Sequence, residues 1–222
     1  MRIEIKQLKK NFRNKQVLRD VNLEVTDGTC IGILGANGSG KSTLLSILAG
    51  VLRADGGQFI CDGVNLLQNH SLRASLVGYV PQGTPLIDEL SAWDNLLLWY
   101  DRKQLQAQLE DGVLQLLGID EFLKVPVSKM SGGMKKRLSI GCAMATQPPV
   151  LLLDEPTAAL DLVCKQRIAA WLRQYKARGG ILLLTTHDAM ELGLCDRWYI
   201  LKNGVLEPFE FDGDVQKLVE SL

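Results

Sequence analysis

The chain has 222 residues, 46% of them hydrophobic, and its 25 lysine and arginine residues balance 25 aspartate and glutamate residues. This composition suits a packed domain and gives no reason to expect disorder. The zero net charge argues against a broad nucleic-acid-binding face. No stretch approaches the roughly 20 apolar residues that span a bilayer, and the first six residues lack the apolar core of a secretion signal. We therefore expect a cytoplasmic protein without its own membrane anchor.

The first 30 residues have the alternation of strands. Ile3 and Ile5 alternate with charged residues, and Val21, Leu23 and Val25 alternate with polar ones. Side chains of a strand point to its two faces in turn, so this pattern predicts half-buried strands.

A short apolar run at 30–34 then predicts a buried strand. It is followed by a glycine-rich loop at 35–43, an apolar segment at 44–48 and a natural helix stop at Gly50. Turn signals at 55–57 and 62–63 mark a further strand-rich stretch that is expected to end near 76–80.

From about 85 to 145 the pattern becomes helical and indicates a lobe inserted into the core. One helix is predicted to end at Gly118 and to bury a single face, formed by Leu105, Leu109, Val113, Leu116 and Leu117. The core then resumes with strands at 150–153 and 181–185, and with a helix between them that ends at Gly179 and Gly180. Alternating strands and helices predict a parallel sheet.

The five cysteines are scattered and form no C-x-x-C pair; they are Cys30, Cys61, Cys142, Cys164 and Cys195. We expect free thiols that pack as small hydrophobic residues. Neither histidine is close to a cysteine cluster in sequence, so no zinc site is expected.

Residues 35–43 read Gly-Ala-Asn-Gly-Ser-Gly-Lys-Ser-Thr, a complete G-x-x-x-x-G-K-[ST] phosphate-binding loop. Successive backbone N–H groups at a helix N-terminus can surround the phosphates of ATP. Lys41 would supply positive charge to the β and γ phosphates, and the Ser42 hydroxyl is suited to Mg²⁺. The strand before the loop and the helix after it are the context that this motif requires.

The strand at 150–153 runs into two carboxylates, Asp154 and Glu155. Open α/β sheets bind ligands at the carboxyl edge of their strands, where this pair would lie. We expect Asp154 to hold Mg²⁺ through water and Glu155 to polarise the water that attacks the γ-phosphate.

A second anion site is indicated at 131–133. Ser131 is a good helix N-cap, and Gly132 and Gly133 leave N–H groups accessible at the helix start. Since the chain already has one phosphate cradle, this segment could also be a capped helix entrance alone.

These motifs together resemble the ATPase subunit of an ATP-binding cassette (ABC) transporter over nearly the whole chain. Ser131-Gly132-Gly133 is similar to the centre of the family signature L-S-G-G-Q, and Gln82 to the glutamine that senses Mg²⁺ and nucleotide. Residues 159–161, Ala-Leu-Asp, match the aspartate loop, and His187 the switch histidine that contacts the γ-phosphate. Phe12 lies where the family places an aromatic residue on adenine, although a core role would also suit it.

The resemblance implies a P-loop NTPase core with a mixed, mainly parallel sheet, an antiparallel N-terminal β subdomain and an inserted helical subdomain at about 85–145, within one ATPase domain at 1–222. The expected catalytic residues are Lys41, Glu155 and His187, and the expected Mg²⁺ residues are Ser42, Gln82 and Asp154. Across a dimer, Ser131, Gly132, Gly133 and Asp161 would act. The expected nucleotide-binding residues are Phe12, Gly35, Ala36, Asn37, Gly38, Ser39, Gly40, Lys41, Ser42, Thr43 and Gln82.

The signature departs from the family pattern at two positions, where Met130 and Met134 replace leucine and glutamine. The serine and both glycines are retained, so we expect ATP binding across the interface to persist. Methionine cannot form the hydrogen bonds of glutamine at position 134, which puts the strength of that contact in question.

The resemblance also implies partners and a location. Two such subunits pair head to tail around ATP, as a homodimer or with a homologous ATPase subunit, and work with separate transmembrane subunits at the inner face of the cell membrane. The groove for those subunits is expected at 83–99, with candidate lining residues Leu86, Ile87, Leu90, Trp93 and Leu96, which could equally be the core of the helical lobe. The compact length favours an exporter, and no nucleic-acid partner is expected.

Two alternatives stay open. A soluble ABC ATPase acting on ribosomes or DNA would share the motifs, although it usually carries tandem cassettes, coiled coils or basic extensions. A kinase or GTPase would share the phosphate loop, but the Ser131 motif and His187 have no use there and no N-K-x-D motif is present.

Overall fold

A computed structural model of the chain describes residues 1–13, 15–158, 160–186 and 188–211. In these ranges the strands are β1 (Arg2–Phe12), β2 (Lys15–Thr26), β3 (Cys30–Leu34), β4 (Gly56–Cys61), β5 (Val64–Asn65), β6 (Val77–Val80), β7 (Val150–Asp154), β8 (Ile181–Thr185), β9 (Arg197–Lys202) and β10 (Val205–Phe209). They form one mixed sheet in the order β5-β4-β1-β2-β10-β9-β3-β8-β7-β6.

The helices of the same ranges are α1 (Lys41–Ala49), α2 (His70–Leu76), α3 (Ala92–Leu97), α4 (Arg102–Asp111), α5 (Val113–Leu116), α6 (Gly132–Ala143), α7 (Leu162–Ala177) and α8 (Ala189–Leu192). Two short 3₁₀ turns, Asp120–Phe122 and Val127–Lys129, precede α6. In this part of the chain, no helix is long and apolar enough to cross a membrane.

The parallel half of the sheet consists of β9, β3, β8, β7 and β6. Every residue of β3, β7 and β8 is buried, because both faces of these strands are covered. Alternate residues enter different cores: Val150 and Leu152 join the cluster that contains the apolar side chains of α1, whereas Leu151 and Leu153 join the cluster on the side of α6 and α7.

The N-terminal strands form the expected antiparallel part of the sheet. β1 pairs with both β2 and β4, and Ile3 and Ile5 lie opposite Val25 and Leu23 in the first of these pairs. All four side chains are buried, as the alternation at the start of the chain predicts.

The prediction of a single helix that ends at Gly118 is wrong, because the chain forms two helices, α4 and α5, separated by Gly112. Gly112 is extended, with φ −127° and ψ −165°, and the Val113 N–H is held by the Gln108 side chain at 3.0 Å. The break shifts the phase of the apolar positions. Leu117 is buried as predicted, but Leu114 takes the other core position and Leu116 is exposed.

The strand-rich stretch predicted to end near 76–80 also contains a helix, α2, directly before β6. Asn69 begins it by accepting a hydrogen bond from the Leu72 N–H at 3.0 Å. Seven residues are too few to establish a helical period in the sequence.

The five cysteines are free and buried, as expected of small apolar residues. Cys30 and Cys195 lie side by side, with 3.6 Å between their sulfur atoms.

Gly78 of β6 is packed so closely that a larger side chain there should destabilise the fold. A Cβ there would lie 2.7 Å from Pro148 Cγ and 2.9 Å from the Ala143 carbonyl oxygen. We expect Gly78→Ala to lower the free energy of unfolding by roughly 1–3 kcal/mol through overpacking, measured by urea denaturation. Gly83→Ala is the control, because a Cβ at Gly83 meets nothing within 4 Å. Equal midpoints for the two variants would contradict this packing.

Candidate functional site

The phosphate-binding loop lies where β3 ends and α1 begins. Gly40 caps the helix with φ 111°, and its carbonyl accepts the Leu44 N–H at 2.9 Å. A Cβ at Gly40 would approach Val17 Cγ1 to 2.8 Å, so glycine is required both for the backbone angle and for space. The N-terminus of α1 therefore faces the loop as a backbone anion site.

Lys41, the first residue of α1, is only 7% exposed. Its Nζ donates hydrogen bonds to the carbonyl oxygens of Gly35 at 2.6 Å and Ala36 at 3.2 Å. Burial lowers the pKa of this ammonium, and the nearby carboxylates of Glu155 and Asp154 act in the opposite direction. The Lys41 ammonium is thus hydrogen-bonded to its own loop, where phosphate oxygens could replace the two carbonyls as its acceptors.

Asp154 and Glu155 stand at the carboxyl end of β7, beside Thr185 at the end of β8. The Thr185 hydroxyl donates to Asp154 Oδ1 at 2.6 Å and accepts the Glu155 N–H at 3.2 Å. Glu155 has φ 47°, in the left-handed region that non-glycine residues seldom adopt. Such backbone strain is concentrated at functional sites.

Gln82 brings the loop after β6 to the same edge of the sheet. Its Nε2 donates to Glu155 Oε2 at 3.0 Å. The side-chain amide therefore contacts the Glu155 carboxylate directly through its nitrogen, and its carbonyl oxygen could serve as a ligand for a cation.

A cavity of about 440 Å³ is lined by Lys41, Gln82 and Glu155 together. Phe12 lines it and is 44% exposed, so it is not a core residue. Val17 also lines the cavity, although the sequence analysis did not include it. The remaining lining residues are Asn37, Gly38, Gly40, Lys41, Ser42, Thr43, Gln82 and Glu155.

The oxygen set at this edge fits a hard divalent cation. Ser42 supplies an exposed hydroxyl beside the phosphate loop, Gln82 an amide oxygen and Asp154 a carboxylate, and such oxygen ligands suit Mg²⁺. Thr185 fixes one carboxylate oxygen of Asp154. A cation here would thus meet a carboxylate that is already oriented.

Ser131 forms a separate structure at the start of α6, as its N-cap. Its hydroxyl accepts the Met134 N–H at 3.2 Å. Asp161 caps α7 in the same way, through the Cys164 N–H at 2.9 Å, and packs close to Gly133. Within the described ranges, none of Ser131, Gly132, Gly133 and Asp161 lines the cavity of the phosphate loop.

Two residues predicted from the sequence, His187 and Ala159, lie outside the described residues. The positions of the histidine and of the first residue of the aspartate loop are therefore not described. Thr185, by contrast, was missed by the sequence analysis. The sequence shows only a threonine at the end of an otherwise aliphatic strand, and the register of β7 and β8 is needed to place it beside Asp154.

The sequence matches known proteins over most of its length. The family model described as ABC transporter matches residues 18–158. A probable ABC transporter ATP-binding protein of Azorhizobium caulinodans is 34% identical, with 96% of this chain and 78% of that protein covered. The sulfate/thiosulfate import ATP-binding protein CysA of Neisseria meningitidis is 34% identical over 93% of this chain. The Nod factor export ATP-binding protein I of Sinorhizobium fredii is 36% identical over 91%. This chain spans 60% of the length of each of the latter two relatives.

The fold matches as well. The dimeric structure of a post-hydrolysis state of the ATP-binding cassette MJ0796, bound to ADP and Pi, superposes with a TM-score of 0.81 at 27% identity, covering 92% of this chain and 96% of that one. The mixed sheet and its helices are thus those of an ABC ATPase cassette. The chain belongs to the ABC transporter family, as an ATPase of that family.

Proposed function

We propose that this chain is an ATP-hydrolysing subunit that powers transport through separate transmembrane subunits, by ATP-driven head-to-tail pairing. The observation that carries the proposal is the separation of two anion sites on one chain. The phosphate loop and Gln82 line one cavity, whereas the Ser131 cap stands apart from it. A second copy turned head to tail would bring its Ser131 end over the first copy's nucleotide.

Within each site the side chains divide the chemistry of hydrolysis. Lys41 exchanges its carbonyl partners for the β and γ phosphates, since ionised oxygens accept a stronger hydrogen bond than neutral carbonyls. Glu155, held by Thr185 and Gln82, accepts a proton from the attacking water. Phe12 stacks on the adenine, His187 contacts the γ-phosphate, and Asp161 acts across the dimer.

The metal residues follow from the same edge of the sheet. Ser42, Gln82 and Asp154 would hold Mg²⁺, which supplies charge neutralisation of the phosphates when bound. Because Gln82 also contacts Glu155, the position of Gln82 would depend on whether nucleotide and Mg²⁺ are bound. Residues 85–145 form the helical subdomain of one ATPase domain at 1–222, and this subdomain would move when Gln82 moves.

Met134 does not disturb the part of the signature that meets phosphate. Its backbone N–H closes the Ser131 cap, while its side chain packs partly buried against the core of the helical segment. The anion site depends on the helix N-terminus, and so it persists without glutamine, at the cost of one side-chain contact.

A groove between α2, β6 and α6 suits a transmembrane partner. It encloses about 240 Å³ and is mainly apolar, with Leu86, Cys142 and the 63% exposed Trp99 among its lining residues. Of the residues predicted for this role, Leu96 is fully buried in the core, and Ile87 is exposed. We place docking of a membrane subunit at the inner face of the membrane here. Export stays a prediction, because relatives named for import and for export match this chain about equally well.

Lys41→Ala should abolish binding of a fluorescent ATP analogue. Among the residues that line the described cavity, Lys41 is the one buried cation, and it stands at the N-terminus of α1. Fluorescence anisotropy measures this affinity. Lys103→Ala, at an exposed position of α4, is the control and should bind like the parent. Tight analogue binding by Lys41→Ala would refute the role of the loop.

Glu155→Gln should slow steady-state ATP hydrolysis by roughly 10²- to 10⁴-fold, as expected when a general base is lost. The same variant should shift to a dimer on size-exclusion chromatography when ATP is added. Glu207→Gln, on the exposed side of β10, should hydrolyse ATP normally and serves as the control. Unchanged turnover in Glu155→Gln, or a persistent ATP-bound monomer, would contradict the proposed mechanism.

Trp99→Glu should prevent co-purification of the transmembrane subunit from detergent extracts, because a buried carboxylate without a partner is costly in an apolar groove. The variant should still dimerise with ATP in the Glu155→Gln background. Leu98→Glu is the matched control, since Leu98 is 58% exposed but does not line the groove. Equal recovery of membrane protein with both variants would exclude this groove as the docking site.

A further inference from the structure

Lys136 is a buried cation that the proposed chemistry does not use. It lies in the second turn of α6 and is 4% exposed. Its Nζ donates to the carbonyl oxygens of Pro81 at 2.9 Å and Gln82 at 3.0 Å. A helix that starts at the Ser131 cap is therefore attached to the backbone of the Gln82 loop.

Burial and the neighbouring carboxylates act on the charge of Lys136 in opposite directions, and burial is the larger effect. Burial lowers the pKa of this ammonium, while the carboxylates of Asp154, Glu191 and Glu155 act to raise it. A desolvated ammonium is tolerated only where hydrogen bonds and opposite charge compensate for lost water. Lys135, its neighbour in the same helix, is different: it is more exposed and pairs with Asp88 at 3.4 Å.

These contacts form an unbroken path between the two anion sites. Glu155 accepts a hydrogen bond from the Gln82 side chain, and Lys136 holds the Gln82 carbonyl. Lys136 follows Ser131 by five positions, a rise of about 7.5 Å at 1.5 Å per residue. Since so short a piece of helix is stiff, a displacement of the Gln82 backbone would be passed on to the Ser131 end.

We propose that Lys136 is a positioning residue that couples the nucleotide state sensed by Gln82 to the placement of the Ser131 end of α6. The inference rests on the proposed head-to-tail function, in which that end closes over the nucleotide of a second copy. Lysine suits the task because its long stem reaches across from the helix and its ammonium can hold two carbonyls at once.

The test compares Lys136→Met, Lys136→Arg and the control Lys135→Met, each in the Glu155→Gln background. Methionine keeps the length of the side chain but removes both hydrogen bonds, whereas arginine retains donors. Fluorescence anisotropy at low chain concentration gives the affinity of the monomer for an ATP analogue. Sedimentation velocity gives the fraction of dimer as ATP is added.

We expect Lys136→Met to bind the analogue within about twofold of the parent yet to need on the order of tenfold more ATP for half-dimerisation, as fits the loss of charge-assisted hydrogen bonds. Lys136→Arg should recover most of this difference, and Lys135→Met should dimerise like the parent. Dimerisation of Lys136→Met at the parent's ATP concentration would overturn the inference. So would an equal shift in Lys135→Met.

Hydrogen exchange of the ATP-bound chain separates this inference from the proposed function. In the parent, ATP should slow amide exchange both at 82–83 and at 132–135. In Lys136→Met, the slowing at 82–83 should remain and that at 132–135 should be lost. If the parent does not dimerise, the head-to-tail function fails while this readout still tests the coupling. A purely structural role would instead speed exchange throughout α6 with and without ATP, and that result would reject the proposal.

Discussion

The alignment of parallel strands is the constraint on which the rest of this structure depends. β3, β6, β7 and β8 run in the same direction, so their carboxyl ends meet at one edge of the sheet. Each strand is buried on both faces and ends there in a polar segment: the phosphate loop, Gln82, the Asp154–Glu155 pair and Thr185. Residues up to 150 positions apart in sequence therefore lie together in one site. The hydrophobic burial of the strands fixes this edge, and the polar residues take their positions from it.

Hydrogen bonds across that edge explain why the polar residues act together. Asp154 and Thr185 are paired in the register of β7 and β8, and the threonine hydroxyl holds the carboxylate as well as the next backbone N–H. Gln82 approaches the Glu155 carboxylate from the loop after β6. Thr185 of β8 therefore holds the backbone N–H of Glu155, and Gln82 holds its side chain. The general-base role proposed for Glu155 requires such fixed geometry, because the base must lie within hydrogen-bond reach of the proton that it accepts.

How far the sequence predicts this molecule depends on the range of the interactions involved. Local patterns predicted the buried strands and the end of α1 at Gly50, because periodicity and capping act over a few residues. The same reasoning failed at Gly112, because the apolar residues on its two sides keep a helical spacing in the sequence although the extended glycine separates α4 from α5. The phosphate-loop motif, the acidic strand end and the family resemblance predicted Lys41, Glu155 and Gln82 as site residues, but not the contact between Gln82 and Glu155. Val17 and Thr185 were missed because their roles arise only when distant strands meet, and Lys136 because its burial depends on the loop at 81–82.

The two buried lysines show how similar side chains can serve opposite purposes. Both Lys41 and Lys136 bind pairs of backbone carbonyls, and both lie near Asp154 and Glu155. The carbonyls held by Lys41 belong to the loop that would receive phosphate, so we infer that its hydrogen bonds exchange when nucleotide binds. The carbonyls held by Lys136 belong to Pro81 and Gln82, and Lys136 does not line the described cavity, so we infer that its hydrogen bonds persist. In the proposed mechanism, Lys41 therefore responds to the ligand by changing its hydrogen-bond partners, whereas Lys136 transmits the movement of the Gln82 loop because it keeps its partners.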